Sequence, residues 1–474
     1  MLSDIRSNWW LSGVASSAYF CNVNNNGNAN ANNASNANGV RPISAYAFAS
    51  WAGCPQRENR KGDNSLLYES ELKKRCVRLR ALMPTTLLPI YERKRMAELF
   101  DKFTSATALY DAFQKAKKES DWKASVQRFE MSVLQNIFAL QKELRERTYK
   151  QHPFVSFTLH ERGKTRLIKA VSIRDRVVQR SLCENVLDPI LQPKLIHDNG
   201  ASVEGKGIAF TRRRLVNHLA KFIRKHGTSG YILKIDFSKF FDNIDHEIAI
   251  NALRKHIDDP DVLDVTRGFF DAFKIDVSDL TDTEIGYYKT HPVDLLALKE
   301  GKSGKRFLNR SLGIGSQVSQ IIGIYHPTPI DFYCKTKKRC KFYGRYMDDI
   351  YIIHESKEHL AEVLEGVRKI AKELRLFISD KKTRITPLSQ GFRFLKVRYD
   401  ILPSGRILRR LDRDSFVRER RRLHTYRRLL DEGRITRLDV SNFYQSYKGQ
   451  TRHFATHRSV RNLDSLYTEL FVNN

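Results

Sequence analysis

Cysteine is scarce in this 474-residue chain: there are six, and no two form a C-x-x-C pair. The spacing of Cys21, Cys54, Cys76, Cys183, Cys334 and Cys340 gives neither a disulfide framework nor a zinc ribbon. Cys334 and Cys340 could share a metal; buried thiols are the simpler reading. Long apolar runs are also missing, so no window suits a membrane span. The opening "MLSDIRSNWWLSGVASSAYFC" has no basic stretch beside an unbroken apolar run and no convincing cleavage site, which argues against a signal peptide. Together these absences point to a reducing, cytoplasmic setting. Acidic residues are in deficit: 53, against 83 Lys and Arg, a net charge of +30. Such an excess opposes compaction unless an anion neutralises it. Nucleic acid is the usual partner, because binding phosphates releases counterions.

A chain of this length suggests roughly two to four domains, and a hydrophobic content of 41% can fill a sizeable core. Residues 1–65 are polar and broken by Gly, and half of residues 21–40 are Asn. Residues 66–150 read as helical: in "RFEMSVLQNIFALQKELRERTY", Met131, Leu134, Ile137, Phe138 and Leu140 fit one helix face. Residues 151–395 mix strands and helices. "GYILKIDF" is the short apolar run of a buried strand, and "FYGRYMDDIYII" reads as two strands around a tight polar turn. "HLAEVLEGVRKIAKELRL" carries an amphipathic stripe from Leu360 to Leu374. Residues 396–474 are strongly basic and read as helical, so the expectation is an α+β domain with an appended helical bundle.

The adjacent carboxylates Asp348 and Asp349 sit between apolar strands, where they repel each other unless cations neutralise them. Hard carboxylate oxygens suit Mg²⁺. Asp236 ends another apolar strand and supplies a third carboxylate. Two Mg²⁺ ions about 4 Å apart can activate a 3′ hydroxyl and stabilise departing pyrophosphate. Each motif is weak alone; in this order they reinforce one another.

With these residues the chain resembles the reverse transcriptase family from about residue 95 to the C-terminus. The resemblance implies a right-hand polymerase: fingers, a palm with an antiparallel sheet, and a helical thumb, preceded by the irregular Asn-rich segment. It implies catalysis by Asp236, Asp348, Asp349 and Lys382, with the three Asp holding two Mg²⁺ ions, Mn²⁺ being an alternative. Lys381 is the rival of Lys382 in "SDKKTRI". Phe241 falls on the aromatic gate against a ribose 2′ hydroxyl, and Phe237 and Gln320 join the dNTP site. "ERGKTRLIKAVSIRDRVVQRSL" resembles the fingers. Lys164 and Arg166 alternate on a strand, so both face one side and would clamp the triphosphate. Arg174 and Arg176 would touch template or pair with Asp175. "FRFLKVRY" resembles the primer-grip hairpin, with Lys396 where Gly is common. In "RILRRLDRDSFVRERRRLHTYRRLLDEG", Phe416, Leu423 and Leu430 recur every seven residues and Gly433 offers a stop. Arg418, Arg421 and Arg422 of that helix would track the backbone of the cDNA duplex.

"LGIGSQVSQ" narrows the resemblance. Ile314, Gly315, Ser319 and Gln320 give an I-G-x-x-x-S-Q form similar to reverse transcriptases of diversity-generating retroelements, where group II intron enzymes read Q-G-x-x-x-S-P. The motif packs beside the template base, so Ile314 in place of Gln is expected to loosen template holding. This resemblance implies a template RNA copied into adenine-mutagenised cDNA, and a basic accessory variability protein as partner. Group II intron, retron or phage-defence enzymes are the alternative; no V-T-G tripeptide of the retron type occurs, and the chain stops soon after the thumb.

Within that resemblance the Asn tract has a reading. AAY codons encode Asn, and mutable templates are rich in them. "WWLSGVASSAYFCNVNNNGNANANNASNANGVRPI" resembles the last segment of a diversified ligand-binding protein. Residues from about Asn8 to Ala49 would then be a translated template repeat, with Met83 or Met96 the polymerase's natural start. The plain alternative is an Asn-rich disordered tail.

Overall fold

The computed structural model describes residues 98–472 except 119, 162–163, 299–300 and 302. The Asn-rich segment, residues 66–97 and the template-repeat reading lie outside the described residues. Helices α1 (Ala106–Lys117), α2 (Ala124–Met131) and α3 (Val133–Arg145) come first. Ser105 caps α1 by accepting from the Ala108 N–H, and Leu109, Ala112, Phe113 and Ala116 form its buried stripe. The expected face from Met131 to Leu140 is corrected. Ser132 leaves the helical region at φ −125°, ψ 40° and separates α2 from α3. Ile137, Leu140 and Leu144 turn inward, while Met131, Leu134 and Phe138 are 85%, 62% and 58% exposed.

The antiparallel hairpin of β1 (Val155–Glu161) and β2 (Lys164–Ala170) leads into α4 (Ile173–Leu182). Asp175 on α4 is buried and accepts from Tyr149 Oη at 2.8 Å and Arg174 Nη1 at 2.9 Å. Arg176 donates to the Ala116 carbonyl at 2.6 Å. Both arginines thus serve packing.

Helix α5 (Ile208–His226) precedes β3 (Tyr231–Ile235), α6 (His246–Arg254) and α7 (Pro260–Asp271). An insert of β4 (Ile275–Asp276), α8 (Asp282–Thr290) and β5 (Phe307–Leu308) follows, then α9 (Gln317–Tyr325). Next come β6 (Phe342–Tyr346), β7 (Asp349–His354), α10 (Lys357–Glu373) and β8 (Arg384–Pro387). The central sheet is antiparallel in the order β6–β7–β3–β8. Helix α5 packs on β6 and β7, and α10 packs on β7. Ile350, Tyr351, Ile352 and Ile353 are consequently all buried, which is why β7 reads as a continuous apolar run. The insert has a small core of its own, including Ile275, Val277 and Val293.

A second sheet joins β9 (Phe392–Phe394), β10 (Val397–Ile401) and β11 (Ile407–Leu411). The β9–β10 turn is Leu395–Lys396, with φ of 46° and 64°. Two-residue hairpin turns of this type need positive φ at both positions, and here neither is Gly. The boundary expected between 395 and 396 falls inside this turn: Val397–Ile401 completes the hairpin expected at 392–399, and Ile407–Leu411 pairs as a strand in the region expected to be helical. The helical part is α11 (Arg413–Asp431), α12 (Arg437–Thr451) and α13 (His457–Phe471). Leu423, Tyr426, Val440, Tyr444, Leu463 and Phe471 form its core, separate from the main one. Among the described residues no helix is long and apolar enough to cross a membrane.

Candidate active site

Sheet register assembles the carboxylates. Ile235 pairs with Ile350 and Tyr346 with Asp349, so Asp236, one step beyond β3, arrives beside the β6–β7 turn. Met347 turns there with φ 55° and leaves Asp348 at the apex. The loop after α10 closes over Asp236: Ser379 N–H donates to the Asp236 carbonyl at 2.8 Å, and Ser238 N–H donates to the Phe377 carbonyl at 2.7 Å. That loop delivers Lys382, whose Nζ donates to Asp236 Oδ1 at 2.7 Å.

Burial, then the negative charge of Asp236, holds Asp348 above the ordinary carboxylate range. Burial, then Asp348 and Asp236, does the same to Asp349. Asp348 and Asp349 therefore resist ionising together. Their oxygens are the hard donors Mg²⁺ prefers, and a divalent cation would relieve the repulsion, so the donor set fits that ion. The described residues do not form a closed metal cage of three such side chains; Asp236 is turned to Lys382.

A cavity of about 520 Å³ lies over Asp348. Lys164, Thr165, Arg166 and Leu167 all line it from β2, so the lining does not follow the expected alternation, and Lys382 lines it from the loop after α10. Phe237 and Phe241 line it after β3. Ile314 lines it too, packed with Phe157, Leu159 and Ile168 of the β1–β2 hairpin. Lys381, Gly315, Ser319 and Gln320 are not among its lining residues. Gly315 adopts φ +118°, beside the Lys169 carbonyl. Ser319 is buried and donates to the Leu312 carbonyl. Gln320, on α9, is half-buried. Ser316 caps α9 and donates to Gln179 Oε1 at 3.0 Å, joining this motif to α4.

Sequence reasoning missed part of the wall. Leu295 and Leu296 line the cavity from the insert. Asn243 holds that segment: its Oδ1 accepts from Val293 N–H at 2.8 Å and its Nδ2 donates to the Val293 carbonyl at 3.2 Å. Lys239, at φ 46°, pairs with Asp294 at 2.8 Å. The one available signal was that Asn243 lies two residues after Phe241. Gly323 was missed as well: a Cβ there would stand 2.8 Å from Phe241 Cε1 and 3.4 Å from Met347 Sδ. Arg421 and Arg422 on α11 are exposed and Arg418 is half-buried. Arg422 Nη1 reaches the buried Glu419 at 3.4 Å.

A search of curated protein sequences finds no match to the chain. Among solved structures it is similar to telomerase from Candida albicans in complex with a TWJ fragment of telomeric RNA: 13% identity, TM-score 0.39, covering 59% of this chain and 50% of that one. It is also similar to apo telomerase from Candida tropicalis truncated from its C-terminal domain, at 13% identity and TM-score 0.34, covering 57% and 58%. The chain therefore spans about half the length of these structures. Residues 150–399, more than half of the chain, match the family described as reverse transcriptase (RNA-dependent DNA polymerase), and the chain belongs to that family.

Proposed function

We propose that this protein is an RNA-directed DNA polymerase of a diversity-generating retroelement, copying a template-repeat RNA into adenine-mutagenised cDNA. The observation that carries the polymerase reading is the single cavity bounded by Lys164, Arg166, Lys382, Phe241 and Asp348. Asp236 and Asp348, with Asp349 assisting, would hold Mg²⁺ or Mn²⁺, which when bound polarises the primer 3′ hydroxyl and stabilises pyrophosphate. Lys164 and Arg166 bind the incoming triphosphate, Arg offering a forked contact and Lys a point charge. Lys382 holds a proton at Nζ for the departing pyrophosphate. Phe241 excludes a 2′ hydroxyl, and Phe237 packs beneath the same pocket. Ile314, Gly315, Ser319 and Gln320 shape the template side. Arg418, Arg421 and Arg422 follow the backbone of the primer–template duplex. A basic accessory variability protein is the partner this reading adds.

Two sequence features support the mutagenic role: the I-G-x-x-x-S-Q motif and the Asn tract with its closing "GVRPI". The test is the DNA flanking the gene. A near-copy of the segment encoding residues 8–43, differing almost only at adenines and ending another reading frame, is the expected finding. Absence of such a copy would leave a reverse transcriptase with another template, of group II intron, retron or phage-defence type. Purified protein supplies the second arm: Ile314→Gln should lower misincorporation at template adenines more than at other bases.

A further inference from the structure

Arg345 heads the fully buried side chains of the described residues by volume. Its guanidinium and the Asp331 carboxylate form an ion pair with no solvent exposure on either side. Nε donates to Asp331 Oδ1 at 2.9 Å and Nη2 donates to Oδ2 at 2.6 Å, while the Tyr343 hydroxyl donates to the same carboxylate. Two donors reach beyond the pair. Nη2 donates to the Ile324 carbonyl at 2.7 Å, and Nη1 donates to the Met347 carbonyl at 3.2 Å.

Stability alone gives little reason for this arrangement. A buried ion pair loses so much hydration that apolar side chains of similar volume commonly hold a core as well. Apolar side chains cannot, however, donate to two carbonyls at once. The two carbonyls chosen matter. Met347 carries a positive φ, uncommon for a residue with a side chain, and directly precedes Asp348. Ile324 lies on α9, the helix whose first turn is the second half of the Ile314–Gln320 motif, next to the Gly323 position facing Phe241 and Met347.

We propose that Arg345 is a positioning residue: its guanidinium ties the Met347 carbonyl to α9 and so fixes the Asp348 turn relative to the cavity. Asp331 and Tyr343 aim the guanidinium. The inference rests on the polymerase reading above, and the controls separate the two.

The experiment compares the parent with Arg345→Lys and with the triple variant Asp331→Leu/Tyr343→Phe/Arg345→Met, which leaves no buried charge or hydroxyl unpaired. Each is assayed for thermal midpoint, affinity for an RNA–DNA primer–template, and kcat and KM for a single dNTP. The expected result for both variants is a melting transition and duplex affinity near the parent's, KM within about threefold, and kcat lower by about 10- to 100-fold, the signature of a misplaced reacting group. Lysine keeps the charge opposite Asp331 but cannot fork to both carbonyls. A kcat within twofold of the parent in either folded variant overturns the proposal; if the triple variant does not fold, Arg345→Lys decides alone. An Asp236→Asn control that extends primers as well as the parent would overturn the metal assignment, whereas a parent that extends no primer would sink the polymerase reading, and this inference with it.

Discussion

Replacing Gly323 by Ala adds one methyl group to α9, at the point where Phe241 and Met347 come closest. The new Cβ would stand 2.8 Å from Phe241 Cε1, 3.2 Å from Cζ and 3.4 Å from Met347 Sδ. The ring has to retreat by about 0.6 Å to reach ordinary contact near 3.4 Å. Phe241 is partly exposed in the cavity, so the open direction for that retreat is into the cavity, where the proposed dNTP would sit. Overpacking a tight contact typically costs about 1–3 kcal/mol. Relief into the cavity reduces that, and about 1 kcal/mol should remain as a narrower sugar site, roughly fivefold in rate. The assay is single-nucleotide primer extension with dATP and with ATP. Gly323→Ala should lower kcat/KM for dATP about fivefold and for ATP further, so discrimination rises. In a Phe241→Ala background the added methyl should change neither. Unchanged discrimination in Gly323→Ala, or a fall, would refute the argument from close approach.

Asp236→Asn should reduce extension by about 10³-fold or more in single-turnover assays, roughly 4 kcal/mol, with template affinity intact. Arg421→Gln with Arg422→Gln should weaken duplex binding and lower the slope of log K against log salt by about one for each phosphate no longer neutralised. His218 and His326 are buried, and burial lowers each to about 4. A depressed histidine stabilises the fold above its unfolded value near 6.5, and that contribution is lost as pH falls toward 4. Urea melts at pH 7 and pH 5 should therefore show a loss on the order of 2 kcal/mol per histidine, and the His218→Gln variant should lose less than the parent over the same interval. Leu134→Gln should change thermal stability by less than about 0.5 kcal/mol, whereas Ile137→Ala should cost about 2–4 kcal/mol.

The last comparison marks where sequence reading stopped. Apolar period reveals that a helix has faces, but α3 has two apolar stripes, and only packing decides that Ile137, Leu140 and Leu144 go inside. The central strands were legible because both faces are covered, leaving short apolar runs between polar turns. Asp236 could be placed near Asp348 because a strand end carries directional information; Lys382, Lys164 and Phe241 were placed there by the resemblance to the family's motifs. The reach of Arg345 carries none: a basic residue in an apolar strand does not declare which carboxylate or carbonyl it will meet. The Asn243 clamp was hidden for the same reason, since its partners are the backbone of Val293, fifty residues away. Lys396 shows the opposite case. It stands where Gly is common, and the hairpin adopts the positive-φ turn regardless.

The C-terminal bundle carries a consequence for motion. Its core of Leu423, Tyr426, Val440, Tyr444, Leu463 and Phe471 shares no buried residue with the main core. It is tied to the rest through Phe454, which packs against the main core with Arg212 and Arg409 over its ring, and through the Ala455 N–H to Arg409 carbonyl bond at 2.8 Å. A body with a core of its own is expected to open as a cooperative unit, at a lower free energy than unfolding the centre. If α11 follows a duplex as proposed, that opening would release and regrip it while the carboxylate turn stays assembled. In hydrogen exchange the bundle amides would fall into one class, faster than those of β3 and β7 and common to all three helices.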